Sequence, residues 1–402
     1  MRVLYAYNQH RGGNGSINST LGTIAVSRRH GVEVEVFTRD SRDLPPNLLG
    51  RFQAGASAIY APGSVKQFSA LLDSFEPDLV HVYDLFPLIS PWILPICTQR
   101  EIPVVATCDD YLLTCPVRNH LRKQQICTRC IGGREYWAVL NNCRHNIAES
   151  LVLAFHSAMV RKLGLFRKHV SRFITGSDFT RRWLVEHLGI ENSRVSTIPH
   201  MVEIPESAAD PGTGGYVAFA GRFVPEKGIG ILLEAARLCQ VPFCLSRNEK
   251  QSPAVELPPQ VDVVVTRRRD ELNAFYRGAR MLVFPSIWFE TFGVVGAEAM
   301  SHGIPVVASR IGALSCLVED GADGLLFEPG NPRDLAEKIA RLWGDPEFCR
   351  RLGRAARQKA CRLWSAQSHF AHLFTVYQEV CGGDQRQGDS PLRSESRAST
   401  NS

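Results

Sequence analysis

Phe284-Pro285-Ser286-Ile287-Trp288-Phe289-Glu290-Thr291-Phe292-Gly293 continues as Val294-Val295-Gly296-Ala297-Glu298-Ala299-Met300 and ends on His302-Gly303-Ile304-Pro305-Val306-Val307-Ala308-Ser309. Its pattern predicts a strand over 281–285, a loop carrying Glu290, a helix over 291–302 and a second strand over 305–309. At about 1.5 Å of rise per residue, Glu298 lies roughly two turns into that helix. The two carboxylates are then too far apart to hold one atom, which suits a long ligand gripped at both ends. Between them the helix N-terminus offers free N–H groups and a positive dipole end. Gly293 lets backbone approach a ligand closely.

The same alternation extends outward in both directions. Short apolar runs at 3–6, 32–38, 79–82, 104–107 and 173–175 alternate with helical patterns at 17–29, 65–75, 89–100, 147–170 and 179–188. After a linker at 205–215 (PESAADPGTGG) the rhythm restarts with runs at 216–220, 261–265, 281–285 and 305–309. Such alternation indicates doubly wound parallel sheets, whose ligands sit at the carboxyl ends of the strands. The expected fold is α/β, two Rossmann-like halves facing a cleft. The first half covers 1–200 and holds a Cys-rich insertion at about 112–146. The second covers 201–365, a helix at 366–381 packs back on the first half, and the polar tail at 382–402 is expected to be disordered.

Composition narrows the function classes. Charged residues make up 21% of the 402, with net charge +6. That excludes the dense basic stripe of a nucleic-acid binder and fits an anionic small ligand or an anionic membrane surface. No apolar run reaches the ~20 residues of a bilayer span. The start, Met1-Arg2-Val3-Leu4-Tyr5-Ala6-Tyr7, lacks an apolar signal region. The expected location is cytoplasmic, with peripheral contact to the inner face of the membrane.

Phe219-Ala220-Gly221-Arg222-Phe223-Val224-Pro225-Glu226-Lys227-Gly228 reads as a strand, a loop and a helix start. Arg222 and Lys227 in the loop can neutralise a pyrophosphate as it becomes a leaving group. Near the start, Arg11-Gly12-Gly13-Asn14-Gly15-Ser16 follows the first strand, where glycines let backbone N–H groups approach a phosphate or sugar. With Asn at position 18 the loop does not match the nicotinamide fingerprint G-x-G-x-x-G.

Two glutamates with seven residues between them, in this setting, closely resemble the C-terminal signature of glycosyltransferase family 4, retaining enzymes of the GT-B fold. The resemblance covers the chain to about residue 380. It implies a retaining transfer from a nucleoside-diphosphate sugar to a saccharide or lipid-linked acceptor, as in cell-surface polysaccharide or glycolipid synthesis. Glu290 would face the donor sugar, Thr291, Phe292 and Gly293 would hold its hydroxyls, and Glu298 would bind the ribose. Gly12 and Gly13 would lie against the donor phosphates. Arg222 and Lys227 would stabilise the departing diphosphate, so no metal cofactor is expected for the transfer. A nucleotide-sugar epimerase on the same fold, or a catalytically weak subunit of a polysaccharide assembly system, are the alternatives.

The chain also departs from the family. Asp109 stands where many relatives carry His and could bind a hydroxyl or stabilise charge at the anomeric carbon. His81, within a predicted strand, reads equally as a core histidine. Phe243-Cys244-Leu245-Ser246-Arg247 stands where relatives have a Gly-rich loop, and Val265-Thr266-Arg267-Arg268-Arg269 where they have a Gly-bearing strand end. In the insertion, Cys127-Thr128-Arg129-Cys130 has the turn-sized spacing that lets two thiolates grip zinc, and Cys115 and Cys143 would complete a structural site. The 151–173 stretch mixes Leu, Val and Phe with Arg and Lys, as a basic amphipathic helix on an anionic leaflet would. A core-packed helix with a solvated basic side is the alternative.

Overall fold

The structure is a computed structural model that describes residues 1–10, 15–247 and 256–382. Gly12, Gly13 and residues 383–402 of the tail lie outside the described residues. The first sheet contains β1 (Arg2–Gln9), β2 (Glu33–Asp40), β3 (Leu79–Val82) and β4 (Val104–Cys108). The hairpin strands β5 (Leu121–Arg122) and β6 (Gln125–Ile126) follow, and β7 (Arg172–Thr175) and β8 (Val195–Thr197) complete the sheet. The second sheet holds β9 (Tyr216–Ala220), β10 (Phe243–Arg247), β11 (Val261–Val265), β12 (Ala279–Phe284), β13 (Val306–Ser309) and β14 (Gly324–Phe327).

Strand order is β2-β1-β3-β4-β7-β8 in the first sheet and β11-β10-β9-β12-β13-β14 in the second. All pairings within the two sheets are parallel. Helices cover both faces of such a sheet, so its strands read as nearly continuous apolar runs. β1 is buried from Val3 to Asn8, and every residue of β3, β13 and β14 is buried. The order reverses between β1 and β3 in one sheet and between β9 and β12 in the other. Those two switch points are where a ligand crevice opens.

Several elements differ from the sequence reading. The helix expected at 147–170 breaks at Gly164 into Ile147–Leu163 and Leu165–His169, because Gly164 takes φ 68° and closes the first helix with its N–H on Arg161 O and Val160 O. The helix expected at 291–302 begins only at Val294, since Gly293 before it has φ 104°. Thr291–Gly293 is therefore loop. The 243–247 stretch is no loop replacement but β10, the partner of β9. The helix Leu48–Ile59, β8 and β14 give weak sequence signals. Pro45-Pro46 masks the first, whose Asn47 side chain caps it by accepting from Gly50 N–H.

The helix Ala366–Gly382 lies against the first sheet. Its Tyr377 hydroxyl is 3.0 Å from the Tyr5 hydroxyl and 2.5 Å from His81 Nδ1. His81 is fully buried, with Nε2 2.7 Å from Thr107 Oγ1. Burial and, next, His369 push its pKa down to about 3. It is a core histidine.

Candidate active site

The loop after β9 and the loop after β12 meet at the second switch point. Gly228 makes their approach feasible: at φ 72°, an added Cβ would lie 1.8 Å from the Pro285 carbonyl oxygen. Lys227 therefore reaches across, and its Nζ donates to Glu290 Oε1 at 2.6 Å. Ser286 Oγ (2.7 Å) and Trp288 Nε1 (2.8 Å) donate to the same oxygen. Three donors on Oε1 fix the carboxylate and leave Oε2 outside this set. Lys227 also lies 5.4 Å from the Trp288 ring centre and 5.7 Å from that of Phe284. Glu290 is buried and Lys227 nearly so, so their attraction is little screened.

Arg222 stands apart from this pair. Its side chain is 59% exposed and its nearest carboxylate is Glu226 at 3.7 Å. Glu298 is separated from Glu290, and both its oxygens have protein partners. Arg269 Nη1 donates to Oε1 at 2.6 Å, and the Tyr276 hydroxyl to Oε2 at 3.0 Å. Arg269 also holds Glu203 at 2.9 Å. Burial, then the Glu298 charge, drives the Tyr276 hydroxyl well above its usual pKa, so it stays a donor.

The loop Phe289–Gly293 crosses to the first half. Thr291 Oγ1 donates to the Asp109 carbonyl at 3.1 Å, and Ser177 Oγ to the Thr291 carbonyl at 2.8 Å. Phe289 packs 5.1 Å from Phe179 and 5.3 Å from Trp183, ring centre to ring centre. Phe292 is buried against His200, 5.4 Å away. The carboxyl ends of both sheets thus border one cleft. Asp109 is beside it, with Oδ1 3.2 Å from His200 Nε2. That contact is an ion pair by distance and not an aligned hydrogen bond, since Oδ1 has no hydrogen-bond partner among the described residues. Burial opposes a charged His200, yet Asp109 outweighs it and the pKa is raised. His200 Nδ1 lies 2.5 Å from Ser19 Oγ.

The first switch point carries a cluster that the sequence reading missed. His10 follows β1, Asp84 follows β3, and His10 Nε2 is 2.6 Å from Asp84 Oδ2. Arg118, at φ 71°, inserts between Asp84 and Asp110, donating to Asp110 Oδ2 from Nε at 2.6 Å. Burial opposes ionisation of Asp84, but Arg118 and His10 hold its pKa down to about 2. Burial, with the Asp84 charge, raises Asp110 despite Arg118. Two carboxylates on one cation split apart in this way. Ser286 and Trp288 stand beside Glu290 in the stretch that carries the two glutamates, and Asp110 stands next to Asp109. Arg269 lies in the stretch 265–269 that departs from the family, and nothing local marks His200 or Tyr276.

The four insertion cysteines share one lobe. Cys115 is buried with Tyr111 and Trp183, packing as a small apolar residue. Burial first, then the neighbouring Cys115, Cys143 and Cys127, pushes the Cys130 thiol up to about 12. Among the described residues no group of three or more His, Cys, Asp or Glu could hold a metal ion.

Comparison with known proteins agrees with this architecture. Residues 202–359 match the family model "Glycosyl transferases group 1", and residues 14–205 match "Glycosyltransferase Family 4". An uncharacterized glycosyltransferase of Methanocaldococcus jannaschii is 35% identical over 265 residues, 62% of this chain and 72% of that protein. A D-inositol 3-phosphate glycosyltransferase of Nocardiopsis dassonvillei is 29% identical over 49% of this chain, and the match spans 54% of that relative. Among solved structures, sucrose-phosphate synthase from Thermosynechococcus elongatus superposes with TM-score 0.69 at 17% identity, covering 95% of this chain and 100% of that one. Anabaena HepE in complex with UDP gives 0.63 at 19%, covering 94% and 100%.

The fold is therefore GT-B, and the protein is a glycosyl-transferring enzyme. Within that class, the chain belongs to the group 1 glycosyltransferases, family 4.

Proposed function

We propose that this enzyme moves a sugar from a nucleoside-diphosphate sugar to an acceptor hydroxyl with retention of anomeric configuration, in the building of a cell-surface polysaccharide or glycolipid. The observation that carries the reading is the Lys227–Glu290 pair at the second switch point. In doubly wound sheets that crevice takes nucleotides. The donor diphosphate lies beside the loop after β9, where Lys227 and Arg222 face the charge that grows as the glycosidic C–O bond breaks. Glu290, fixed by three donors, leaves Oε2 toward the sugar hydroxyls, and the backbone of Thr291–Gly293 orients the ring.

Glu298 takes the ribose hydroxyls, with Arg269 or Tyr276 yielding one oxygen to them. The acceptor enters from the first half, past Asp109 and the Asp84–Arg118–Asp110 cluster. A saccharide or a lipid-linked sugar fits that side, and the enzyme works in contact with the inner face of a membrane. The UDP bound by HepE and the inositol phosphate named for relatives favour a nucleotide donor and a polyol acceptor.

A thermal-shift panel of nucleoside diphosphates and nucleotide sugars tests the donor, because a ligand of the native state raises its apparent stability. Acceptor-dependent release of nucleoside diphosphate tests the transfer. No shift from any nucleotide in the panel would sink the donor assignment.

A further inference from the structure

The helix Ile147–Leu163 has two faces. Ser150, Ala154, His156, Ser157 and Val160 are buried. Ile147, Leu151 and Phe155 point to solvent, at 64%, 57% and 54% exposure. Their spacing of four residues makes one stripe. The helices Leu48–Ile59 and Trp137–Leu140 both pack on this helix. Gly55 of the former sits against Val152. These neighbours add Leu49, Phe52 and Leu140, with Phe52 74% exposed. Soluble surfaces seldom gather so many large apolar side chains on adjoining elements.

The segments around the stripe are predominantly positive. Residues 111–170 contain ten Lys and Arg and two acidic residues, Glu135 and Glu149. Both carboxylates are engaged by arginines, Glu135 by Arg161 at 2.5 Å and Glu149 by Arg51 and Arg144 at 3.2 and 3.4 Å. No Asp or Glu occurs from Leu44 to Leu72. This part of the first half thus exceeds the net +6 of the whole chain. Among the described residues no helix is long and apolar enough to cross a membrane.

We propose that this three-helix face docks on an anionic lipid bilayer, the apolar side chains entering the headgroup boundary and the surrounding arginines and lysines meeting lipid phosphates. An apolar stripe rimmed by cations matches that surface in shape and in charge. The seat differs from a single amphipathic helix over 151–173, because Gly164 ends the first helix and Arg172–Phe173 belong to β7. The buried side of the same helix carries His156, 5.4 Å from Phe86 between ring centres, in the loop after β3. A bilayer on the outer side therefore lies one helix away from the cleft, within reach for a lipid-borne acceptor.

The test is flotation of the full chain with phosphatidylcholine vesicles, with and without about one third phosphatidylglycerol. The wild type is expected to float only with the anionic vesicles and to lose binding as salt rises. The variant Phe52→Ser/Leu151→Ser/Phe155→Ser, altered only at exposed positions, is expected to bind about tenfold more weakly. Its thermal shift with UDP should equal that of the wild type, which separates a lost membrane seat from a lost fold. Wild-type protein that stays at the bottom with anionic vesicles overturns the proposal. So does a triple variant that floats as well as the wild type. A wild-type dimer that the variant abolishes, without flotation, assigns the face to a second copy instead. A missing UDP shift in both proteins would reject the donor reading and leave the flotation result standing.

Discussion

Lys227 donates to Glu290 Oε1 across 2.6 Å and so ties the loop after β9 to the loop after β12. The first half repeats the arrangement, with His10 after β1 held 2.6 Å from Asp84 after β3. Each sheet thus places a bonded side-chain pair at the point where its strand order reverses. Lys227→Ala or Glu290→Ala is expected to lower transfer roughly 10²- to 10³-fold. Glu290→Ala should cost about 1–3 kcal/mol of stability, because Ser286, Trp288 and Lys227 lose their common acceptor. Initial rates with urea unfolding check both, and near wild-type rates refute the roles.

Arg222 gives a cleaner separation of function from fold. Its side chain is largely solvated and its contact with Glu226 is long. Arg222→Ala should change stability by no more than about 0.5 kcal/mol. If the guanidinium meets the departing diphosphate, kcat falls roughly 10²-fold. Unchanged kcat in a fully folded variant would remove Arg222 from the mechanism.

Glu298→Ala is expected to weaken nucleoside-diphosphate binding by about tenfold or more, the worth of a charged hydrogen bond to ribose. Titration calorimetry of the variant decides it. Equal affinity would mean that Arg269 and Tyr276 keep Glu298 as a purely structural carboxylate.

Arg118 bridges two partly buried carboxylates, Asp84 and Asp110. Arg118→Ala should destabilise the protein by roughly 1–3 kcal/mol, since it leaves partly desolvated carboxylates without their common donor. Arg118→Ala/Asp84→Asn should recover part of that loss. A single variant as stable as the wild type by denaturant unfolding contradicts the buried network.

Histidines set the pH dependence, with opposite signs. Burial, the dominant cause for each, lowers His81 to about 3 and His120, His156 and His369 to about 4. A histidine kept neutral in the fold contributes stability that is present above its unfolded pKa of about 6.5 and lost as pH falls toward 4. His200, raised by Asp109 against burial, contributes below about 6.5 and loses that contribution as pH climbs through its folded pKa. Unfolding should therefore take up protons between about pH 6.5 and 4. Asp109→Asn should destabilise more at pH 5.5 than at pH 8.5. Urea midpoints across that range test both signs.

Local patterning marked the strands and helices well because each depends on spacing within one segment. The runs that became β1, β3, β9, β12 and β13 alternate with helical periods, and two doubly wound sheets follow from that alternation. Gly164 and Gly293 show its limit: a glycine at positive φ ends or delays a helix whose apolar spacing runs through it. β10 has no clear signal of its own, because Phe243–Arg247 is short and is a strand by virtue of β9 beside it.

Glu290, Glu298, Arg222 and Lys227 could be named from one stretch and one loop. Their partners could not. Trp288 and Ser286 reach Glu290 within one loop, but Arg269 lies 29 residues from Glu298 and His200 lies 91 from Asp109. Chain spacing fixes which backbone groups stand near one another over a few turns. Hydrogen-bond partners across a cleft, the burial that shifts each histidine, and the solvent face of three helices depend on how separate segments pack. Those arise only when both sheets have closed around their cores.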